Sequence, residues 1–289
     1  MMLLRRHGTV GATTSYDEAA RASAGVLIGH YSTSFGWATR LLHEPVRTDV
    51  RSIYALVRVA DELVDDDRQP WAVEDRASLL EGLRQETHRA LETGCSANLV
   101  VHAFALAAAR HGIGRDLVDP FFDSMRADLS VKVHDPASLE GYVYGSAEVV
   151  GLMCLRVFVG GDDRLYRELA PGARRLGAAF QKVNFLRDLH ADQSELGRTY
   201  LPGTELASFS DRERDLLLDE IDADLAAAAL VIPHLPPSSR CAVLAAHGIF
   251  AALSERLRLT PADRIAQERV RVPDLVKARI IARCALVAR

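Results

Sequence analysis

The feature that most constrains this sequence is a series of well-spaced prolines between which apolar residues recur every three or four positions. Proline interrupts helices because it lacks a backbone N–H, and the three-to-four spacing gathers apolar side chains on one helical face. No segment shows the sustained apolar–polar alternation that is typical of a strand. The pattern predicts an all-α protein. Its helices are expected over residues 17–42, 45–67, 73–92, 97–111, 115–130, 137–159, 163–195, 211–230, 238–258 and 274–287.

The size and balance of the chain indicate one globular domain. Its 289 residues are 48% hydrophobic and 26% charged, which excludes disorder of the whole chain. Internal repeats, low-complexity tracts and linkers are absent from the sequence, so one large domain is favoured over two. We expect a disordered lead-in over residues 1–16 and a single helical domain over residues 17–289.

Charge and cysteine content exclude several classes of protein. With 35 Lys and Arg against 39 Asp and Glu, the net charge is −4, so no basic excess exists to neutralise a nucleic-acid backbone. The four cysteines are dispersed and form no zinc or disulfide signature. The N-terminus does not resemble a signal peptide, and no uninterrupted apolar run reaches the ~20 residues of a spanning helix. A cytoplasmic protein is therefore expected.

The first notable helix, over residues 45–67, carries acidic side chains on its apolar stripe. At about 100° per residue, a set of its residues points within roughly 40° of one direction, and Asp61 belongs to that set. The set comprises Val50, Tyr54, Val57, Asp61 and Val64. Asp65 follows one turn later, and Arg58 lies beside it. A solvated acidic helix end is the plain alternative. Against it, a carboxylate on an apolar stripe is costly unless paired or metal-bound, and acids at a helix C-terminus oppose the helix dipole.

A second helix, over residues 176–195, repeats the arrangement. Asn184, Asp188 and Asp192 follow one another at steps of four, with Gln181 on the same side and Arg187 alongside. We call Asp61 and Asp65 the first acidic wall, and Asn184, Asp188 and Asp192 the second acidic wall. One such row could be a solvent face, but two rows, each bordered by an arginine, are far more specific.

Oxygen ligands on two facing helices suit Mg²⁺, which usually binds one or two carboxylates together with substrate phosphates. Mn²⁺ is a possible substitute. The sequence has no glycine-rich phosphate loop, so nucleotide phosphoryl transfer is disfavoured. What remains is a diphosphate leaving group whose charge is stabilised by metal and arginine while an apolar cavity shields the carbocation.

Four segments, in order, resemble the squalene/phytoene synthase family of head-to-head prenyl transferases, over about residues 22–281. They are YSTSFGWATRLL with VRSIYALVRVADELVDD, then YVYGSAEVVG, then QKVNFLRDLHADQSELGRTYLP, and finally ERVRVP with Lys277. The resemblance is greatest to bacterial phytoene synthases. It implies a single-domain isoprenoid-synthase-type helical bundle around a central apolar cavity.

The resemblance also implies roles for individual residues. It makes both acidic walls metal ligands, with Asp61, Asp65, Asp188, Asp192 and Tyr200 as the catalytic set. The residues expected to bind diphosphate by resemblance are Ser32, Ser34, Tyr54, Arg58 and Arg187. Arg264 is added to this set for its positive charge and not by resemblance. The residues expected to line the prenyl cavity are Phe35, Thr39, Tyr142, Ala147, Val150, Gly151 and Gln181.

Two positions depart from the family pattern. Thr33 stands where a basic residue is common, which removes one expected diphosphate contact. Arg264 stands where an aromatic residue is usual, and it either supplies the missing charge or belongs to a rearranged segment.

The resemblance implies an Mg²⁺-dependent condensation of two prenyl diphosphates through a cyclopropylcarbinyl diphosphate. Two geranylgeranyl diphosphates giving phytoene, without NADPH, are favoured because Thr39 is small where a bulky residue would shorten the cavity. The alternatives are squalene or dehydrosqualene formation from two farnesyl diphosphates, a class I terpene cyclase or head-to-tail elongating enzyme, and a non-catalytic helical scaffold. Peripheral contact with the inner membrane surface is expected for product release. The oligomeric state cannot be read from the sequence.

Overall fold

The computed structural model describes residues 13–31, 34–65 and 71–287, apart from the side chains of residues 31, 34, 35, 286 and 287. Over this part of the chain the protein is all-α. The helices in chain order are α1 (Ser15–Tyr31), α2 (Ser34–Thr39), α3 (Val46–Asp65), α4 (Val73–Thr93), α5 (Leu99–His111), α6 (Arg115–Asp128), α7 (Pro136–Val143), α8 (Val149–Val159), α9 (Asp163–Arg187), α10 (Leu189–Ser194), α11 (Asp211–Val231), α12 (Pro237–Leu259), α13 (Ala262–Ile265) and α14 (Asp274–Val287). A π-helical segment (Tyr144–Glu148) joins α7 to α8, and a short 3₁₀ turn (Ile232–His234) follows α11.

Local signals in the sequence explain where several helices begin. Asn98 accepts the N–H of Val100 at 3.0 Å and so caps α5. Ser210 and Glu213 form a reciprocal capping box at the start of α11. Asp135 does the same with Ser138 at the start of α7, where Pro136 occupies the first helical position.

Two hydrophobic clusters hold the fold together. The first joins α3, α5, α6 and α8 around buried residues such as Phe104, Phe121 and Met153. The second joins α9, α11 and α12 around residues such as Leu186, Leu218 and Leu257. Helix α9 packs on both α8 and α11, so it forms the partition between the two clusters.

Two of the expected helices are not described as single helices. The expected helix 163–195 ends at Arg187, because Asp188 adopts φ −100° and ψ 10° before α10 begins. The expected helix 17–42 is described as α1 and α2, with residues 32–33 between them outside the described residues. The expected lead-in 1–16 also falls mostly outside them, although α1 already begins at Ser15.

Of the described helices, the continuous α7–π–α8 unit over residues 136–159 is long and apolar enough to cross a bilayer by length and composition alone. It packs against α6 on one side and α9 on another. Its apolar length therefore serves contacts inside the fold. One isolated parallel bridge, between Val133 and Thr199, ties the loop after α6 to the loop after α10.

Candidate active site

The first acidic wall lies at the C-terminal end of α3. Arg58 donates to Asp61 at 2.6 Å and also contacts Glu62. Asp65 accepts a hydrogen bond of 2.5 Å from Arg198, which reaches it from the loop after α10. Each carboxylate of this wall therefore has its own arginine.

The second acidic wall runs from the end of α9 into α10. The N–H of Asp188 donates to the carbonyl of Asn184, and the N–H of Asp192 to the carbonyl of Asp188, both at 2.9 Å. The three residues of the second acidic wall therefore keep their helical spacing of four residues across the break between α9 and α10. Asp188 accepts a hydrogen bond of 3.0 Å from Arg187. It also forms an ion pair with Arg269, whose Nε lies 2.7 Å from Asp188 Oδ1.

The two walls face each other closely enough to interact electrostatically. Burial, then repulsion by Asp188 and Asp65, raises the pKa of Asp192 to about 7. Burial, then repulsion by Asp65, raises the pKa of Asp61 to about 7, although Arg58 acts in the opposite direction. Carboxylates from α3 and α10 therefore share one cleft whose negative charge is only partly balanced by the protein.

The sequence analysis missed a buried carboxylate beneath this cleft. Asp128, at the end of α6, is 3% exposed and accepts hydrogen bonds from the hydroxyls of Tyr142 at 2.7 Å and Tyr200 at 2.8 Å. Burial, the largest cause, raises its pKa to about 6. It is far in sequence from both acidic walls, so no spacing signal connected it with them.

Arg198 was also missed as a site residue. It is 3% exposed, donates to Asp65, and donates to the hydroxyl of Tyr200 at 3.1 Å and to the carbonyl of Val64 at 2.8 Å. A buried cation that bridges α3 to the Tyr200 loop fixes the orientation of Asp65. The pattern ADQSELGR gave no indication that its final arginine turns inward.

Arg264, which was expected to bind diphosphate, forms its ion pair on its own segment and not with an acidic wall. Arg264 pairs with Glu268 on its own short segment at 2.8 Å, with 64% of its side chain exposed. Arg269, five residues later, provides the positive charge at Asp188 instead. The physical reason is that α13 ends at Ile265 and the chain turns back over α10, where the carbonyl of Ala266 lies 2.8 Å from His190 Nδ1.

An apolar cavity of about 240 Å³ opens beneath the acidic walls. Of the residues expected to line a prenyl cavity, Thr39, Ala147, Val150 and Gly151 do lie on its wall. Tyr142 and Gln181 are not among the lining residues, since Tyr142 is directed to Asp128 and Gln181 is half-buried elsewhere on α9. The Val57 and Phe180 side chains on the wall are one turn before Asp61 and Asn184, so the cavity begins directly below the walls.

The remaining expected site residues fall into two groups. Tyr54 is half-buried on α3, one turn before Arg58, and Tyr200 is buried next to Arg198. Ser32 lies outside the described residues, as do the side chains of Ser34 and Phe35.

The donor set of the cleft fits Mg²⁺. Asn184 Oδ1 is buried and has no hydrogen-bond partner, and it belongs to a set composed entirely of oxygen donors. In the described residues, no group of three or more acidic, histidine or cysteine side chains forms a ready-made metal cage. Magnesium commonly binds one or two carboxylates and completes its coordination with substrate phosphates.

Comparison with known proteins gives consistent results. Residues 28–275 match the sequence model described as squalene/phytoene synthase. The chain is 31% identical to the 15-cis-phytoene synthase of Paracoccus sp. over 249 residues, which cover 78% of each protein. It is 28% identical to the phytoene synthase of Mycobacterium bovis over 268 residues, covering 86% of this chain and 85% of that protein.

The fold matches a solved structure over nearly its whole length. The crystal structure of a dehydrosqualene synthase in complex with ligand superposes with a TM-score of 0.75, covering 94% of this chain and 97% of that one. The two sequences are 19% identical in that alignment, so the match concerns the fold alone.

Proposed function

The chain belongs to the squalene/phytoene synthase family, and on that premise we propose that it condenses two geranylgeranyl diphosphates head to head into phytoene. It is a prenyl transferase of the phytoene/squalene synthase type. The observation that supports the substrate class best is the apolar cavity beginning one turn below two facing acidic walls. Such a site can hold a diphosphate at its top and an isoprenoid chain below.

In this proposal both acidic walls hold Mg²⁺, and Mn²⁺ is a substitute. Family membership implies the dependence on Mg²⁺. The ligands would be Asp61 and Asp65 on one side and Asn184, Asp188 and Asp192 on the other. When bound, the metal would neutralise the diphosphate and make it a better leaving group.

The arginines around the walls would bind the departing diphosphate. Arg58 and Arg187 each border one wall, and Arg269 joins Arg187 at Asp188. Ser32, Ser34 and Tyr54 are further proposed contacts. Because Arg58, Arg187 and Arg269 all pair with carboxylates, each would have to interact with both a carboxylate and the diphosphate when substrate binds.

The cavity would protect the reactive intermediates from water. Ionisation of one substrate breaks its C–O bond and leaves an allylic cation, which the double bond of the second substrate captures. Loss of a proton to released diphosphate then closes the ring of a cyclopropylcarbinyl diphosphate. Ionisation and rearrangement of that intermediate, with loss of a second proton, give the linear hydrocarbon. NADPH is not expected, because no reductive step is needed for phytoene.

The choice of the C20 substrate is supported by two observations. Thr39, a small residue, lies on the cavity wall, where a bulkier residue would shorten the available length. Two relatives that match most of the chain carry the name phytoene synthase. Formation of dehydrosqualene or squalene from two C15 farnesyl diphosphates is the second candidate. The name of one relative favours it, the 4,4'-diapophytoene synthase of Staphylococcus haemolyticus, which is 28% identical over 65% of this chain.

The deciding experiment is competition between the two diphosphates for the purified protein with Mg²⁺. We expect phytoene from the C20 substrate, without NADPH, and a higher kcat/KM for it than for the C15 substrate. A higher kcat/KM for farnesyl diphosphate, or squalene formation that depends on NADPH, would contradict the C20 assignment and leave the family unchanged. Absence of any head-to-head product would contradict the reaction itself and favour a non-catalytic scaffold.

We further propose that the protein is cytoplasmic and contacts a membrane surface peripherally when it releases product. A C40 hydrocarbon is too apolar to enter water and must partition from the cavity into lipid. Co-sedimentation with liposomes under turnover tests this, and we expect lipid to bind the protein and accelerate release. If lipid does neither, peripheral contact is wrong.

A further inference from the structure

One end of the apolar cavity is closed by a packed apolar cluster. Four side chains of this cluster line the cavity and are at most 5% exposed, namely Leu155, Leu169, Ile232 and Leu235. We call these four residues the cavity floor. Three other lining residues, Ala173, Leu176 and Phe180, are partly exposed. The open part of the cavity therefore lies beside these three residues, and the floor closes it.

Helix α9 connects the cavity floor to the second acidic wall along one face. At about 100° per residue, five of its residues point within roughly 80° of arc, namely Leu169, Ala173, Leu176, Phe180 and Asn184. The first belongs to the floor, the last belongs to the second acidic wall, and the three between them line the cavity. Asn184 follows Leu169 by fifteen residues, which is about 22 Å at the helical rise of about 1.5 Å per residue. That distance is the length available to a chain whose diphosphate is held at the wall.

Contacts between α8 and α9 place the floor residues of both helices at one depth. A Cβ on Gly177 would lie 2.6 Å from the carbonyl oxygen of Ala147, and one on Gly151 would lie 2.9 Å from that of Ala173. The two helices therefore run in opposite directions, with these pairs at matching levels. The floor residue of α8 comes four residues after Gly151, and that of α9 comes four residues before Ala173. Both lie one turn deeper than this second contact, and they pack in the same cluster.

The depth of the floor matches a chain of four isoprene units. Each unit adds four main-chain bonds, and an extended chain advances about 1.2 Å per bond, so a unit is about 5 Å long. This is close to one turn of α9, which rises about 5.4 Å. Extended C15, C20 and C25 chains are then about 15, 20 and 25 Å long, against about 22 Å between wall and floor. A C20 chain would end just above the floor, whereas a C25 chain would overlap it.

We propose that Leu169 determines the length of the prenyl chain, because the floor stops the chain that lies along α9 after four isoprene units. This inference rests on the proposed function, since it takes the acidic walls to hold the diphosphate. Leu169 is the floor residue that belongs to the cavity-lining face of α9. Thr39 leaves the cavity wall open but does not determine where the chain ends.

The test measures the binding of three unreactive analogues, in which sulfur replaces the oxygen that joins the prenyl chain to the diphosphate. They carry C15, C20 and C25 chains and are titrated calorimetrically in the presence of Mg²⁺. In the wild type, the C20 analogue should bind about tenfold more tightly than the C15 analogue, because it buries one more unit. The C25 analogue should bind about tenfold more weakly than the C20 analogue, because its last unit meets a packed floor.

Two substitutions should change the accepted length in opposite directions. Leu169→Ala deepens the cavity and should lower the Kd of the C25 analogue about tenfold, with little change for the C20 analogue. Ala173→Leu fills the cavity one turn higher, about one isoprene unit, and should raise the Kd of the C20 analogue about tenfold, with little change for the C15 analogue. From a mixture of C20 and C25 diphosphates, Leu169→Ala should form hydrocarbons longer than C40, and the wild type should not.

Two control substitutions separate chain length from stability. Leu218→Ala removes a fully buried leucine of α11 in the second hydrophobic cluster, which is not among the described residues that line the cavity. It should lower Tm as Leu169→Ala does and keep the wild-type order of the three Kd values. Leu169→Ile keeps the volume of the floor and should keep that order as well.

The proposal is overturned if the wild type binds the C25 analogue as tightly as the C20 analogue, or if folded Leu169→Ala gains no affinity for the C25 analogue. Should Leu169→Ala not fold, Ala173→Leu decides, and an unchanged ratio of its C20 and C15 Kd values overturns the proposal. Because the analogues do not react, these results are independent of the condensation. Length selectivity without any head-to-head product would contradict the proposed function alone. Product formation with unchanged selectivity in both variants would contradict the role of Leu169 alone.

Discussion

At the residue scale, the C-terminal end of α3 shows how unfavourable charges are accommodated. Asp61 and Asp65 lie where the helix dipole is negative, which by itself destabilises both. The carbonyl of Val64 accepts hydrogen bonds from Arg198 at 2.8 Å and from Arg76 at 3.3 Å. Arg58 and Arg198 bind the two carboxylates directly. The compensation thus comes from arginines on three different parts of the chain.

The first prediction concerns the acidic walls. Asp61→Ala or Asp188→Ala should lower kcat/KM at least 1,000-fold, about 4 kcal/mol of transition-state stabilisation, since each removes a proposed metal ligand. Activity should also be lost in EDTA. The matched control is Asp123→Ala, an exposed acid on α6 that pairs with Arg84, and it should keep normal activity. Near-normal turnover by either wall variant, with the helical circular dichroism spectrum intact, would contradict the metal-site assignment.

At the element scale, the π segment depends on close packing against α6. A Cβ on Gly145 would overlap the carbonyl oxygen of Pro120 and the Ser124 hydroxyl. Helix α9 approaches the same segment, because a Cβ on Gly177 would lie 2.6 Å from the carbonyl oxygen of Ala147. Glycine therefore allows two neighbouring helices to pack closely against the π-helical segment.

The second prediction follows from this packing. Gly145→Ala should reduce the free energy of unfolding by about 1–3 kcal/mol, because the overlap requires helix α6 to shift. The control is Gly82→Ala in α4, where an added Cβ meets no atom within 4 Å. That variant should stabilise the protein by up to about 1 kcal/mol, the helix-propensity difference between the two residues. Urea denaturation measures both, and equal effects of the two substitutions would contradict the packing argument.

The sequence predicted most elements because their signals are local. Helix α3 was expected over 45–67 and runs from Val46 to Asp65, and α14 was expected and found over 274–287. The break at Asp188 was missed because neither glycine nor proline marks it. The π segment was missed because no local signal marks it, and the close packing of α6 and α9 against it is a tertiary contact. Asp128, Arg198 and Arg269 escaped detection for the same reason, since only folding brings them to the walls.

At the scale of the whole molecule, the acidic cleft couples stability to pH. The pKa values of Asp61 and Asp192 are raised to about 7, and that of Asp128 to about 6, against about 3.9 for an aspartate in an unfolded chain. Between pH 4 and 7 the folded, metal-free protein therefore binds more protons than the unfolded chain. Where the native state binds more protons, stability decreases as pH rises.

The third prediction is that, in EDTA, these three groups make the protein less resistant to urea at pH 8 than at pH 5.5. Asp61→Asn should reduce this dependence, because it removes one of the shifted groups. Adding Mg²⁺ with inorganic diphosphate should stabilise the protein more at pH 8, where the carboxylates are ionised and free to bind. A dependence of the opposite sign, or one unchanged in Asp61→Asn, would show that the cleft does not carry the shifted groups.

The bridge between Val133 and Thr199 has a consequence for engineering. Its flanking hydrogen bonds, from Thr199 N–H to Lys132 at 2.7 Å and from His134 N–H to Thr199 at 3.1 Å, join the loop after Asp128 to the loop that carries Arg198 and Tyr200. The two loops are therefore structurally linked. In chimeras with related enzymes, residues 128–134 and 198–200 should be transplanted together, because replacing either alone would pair the Tyr200 hydroxyl with a mismatched partner.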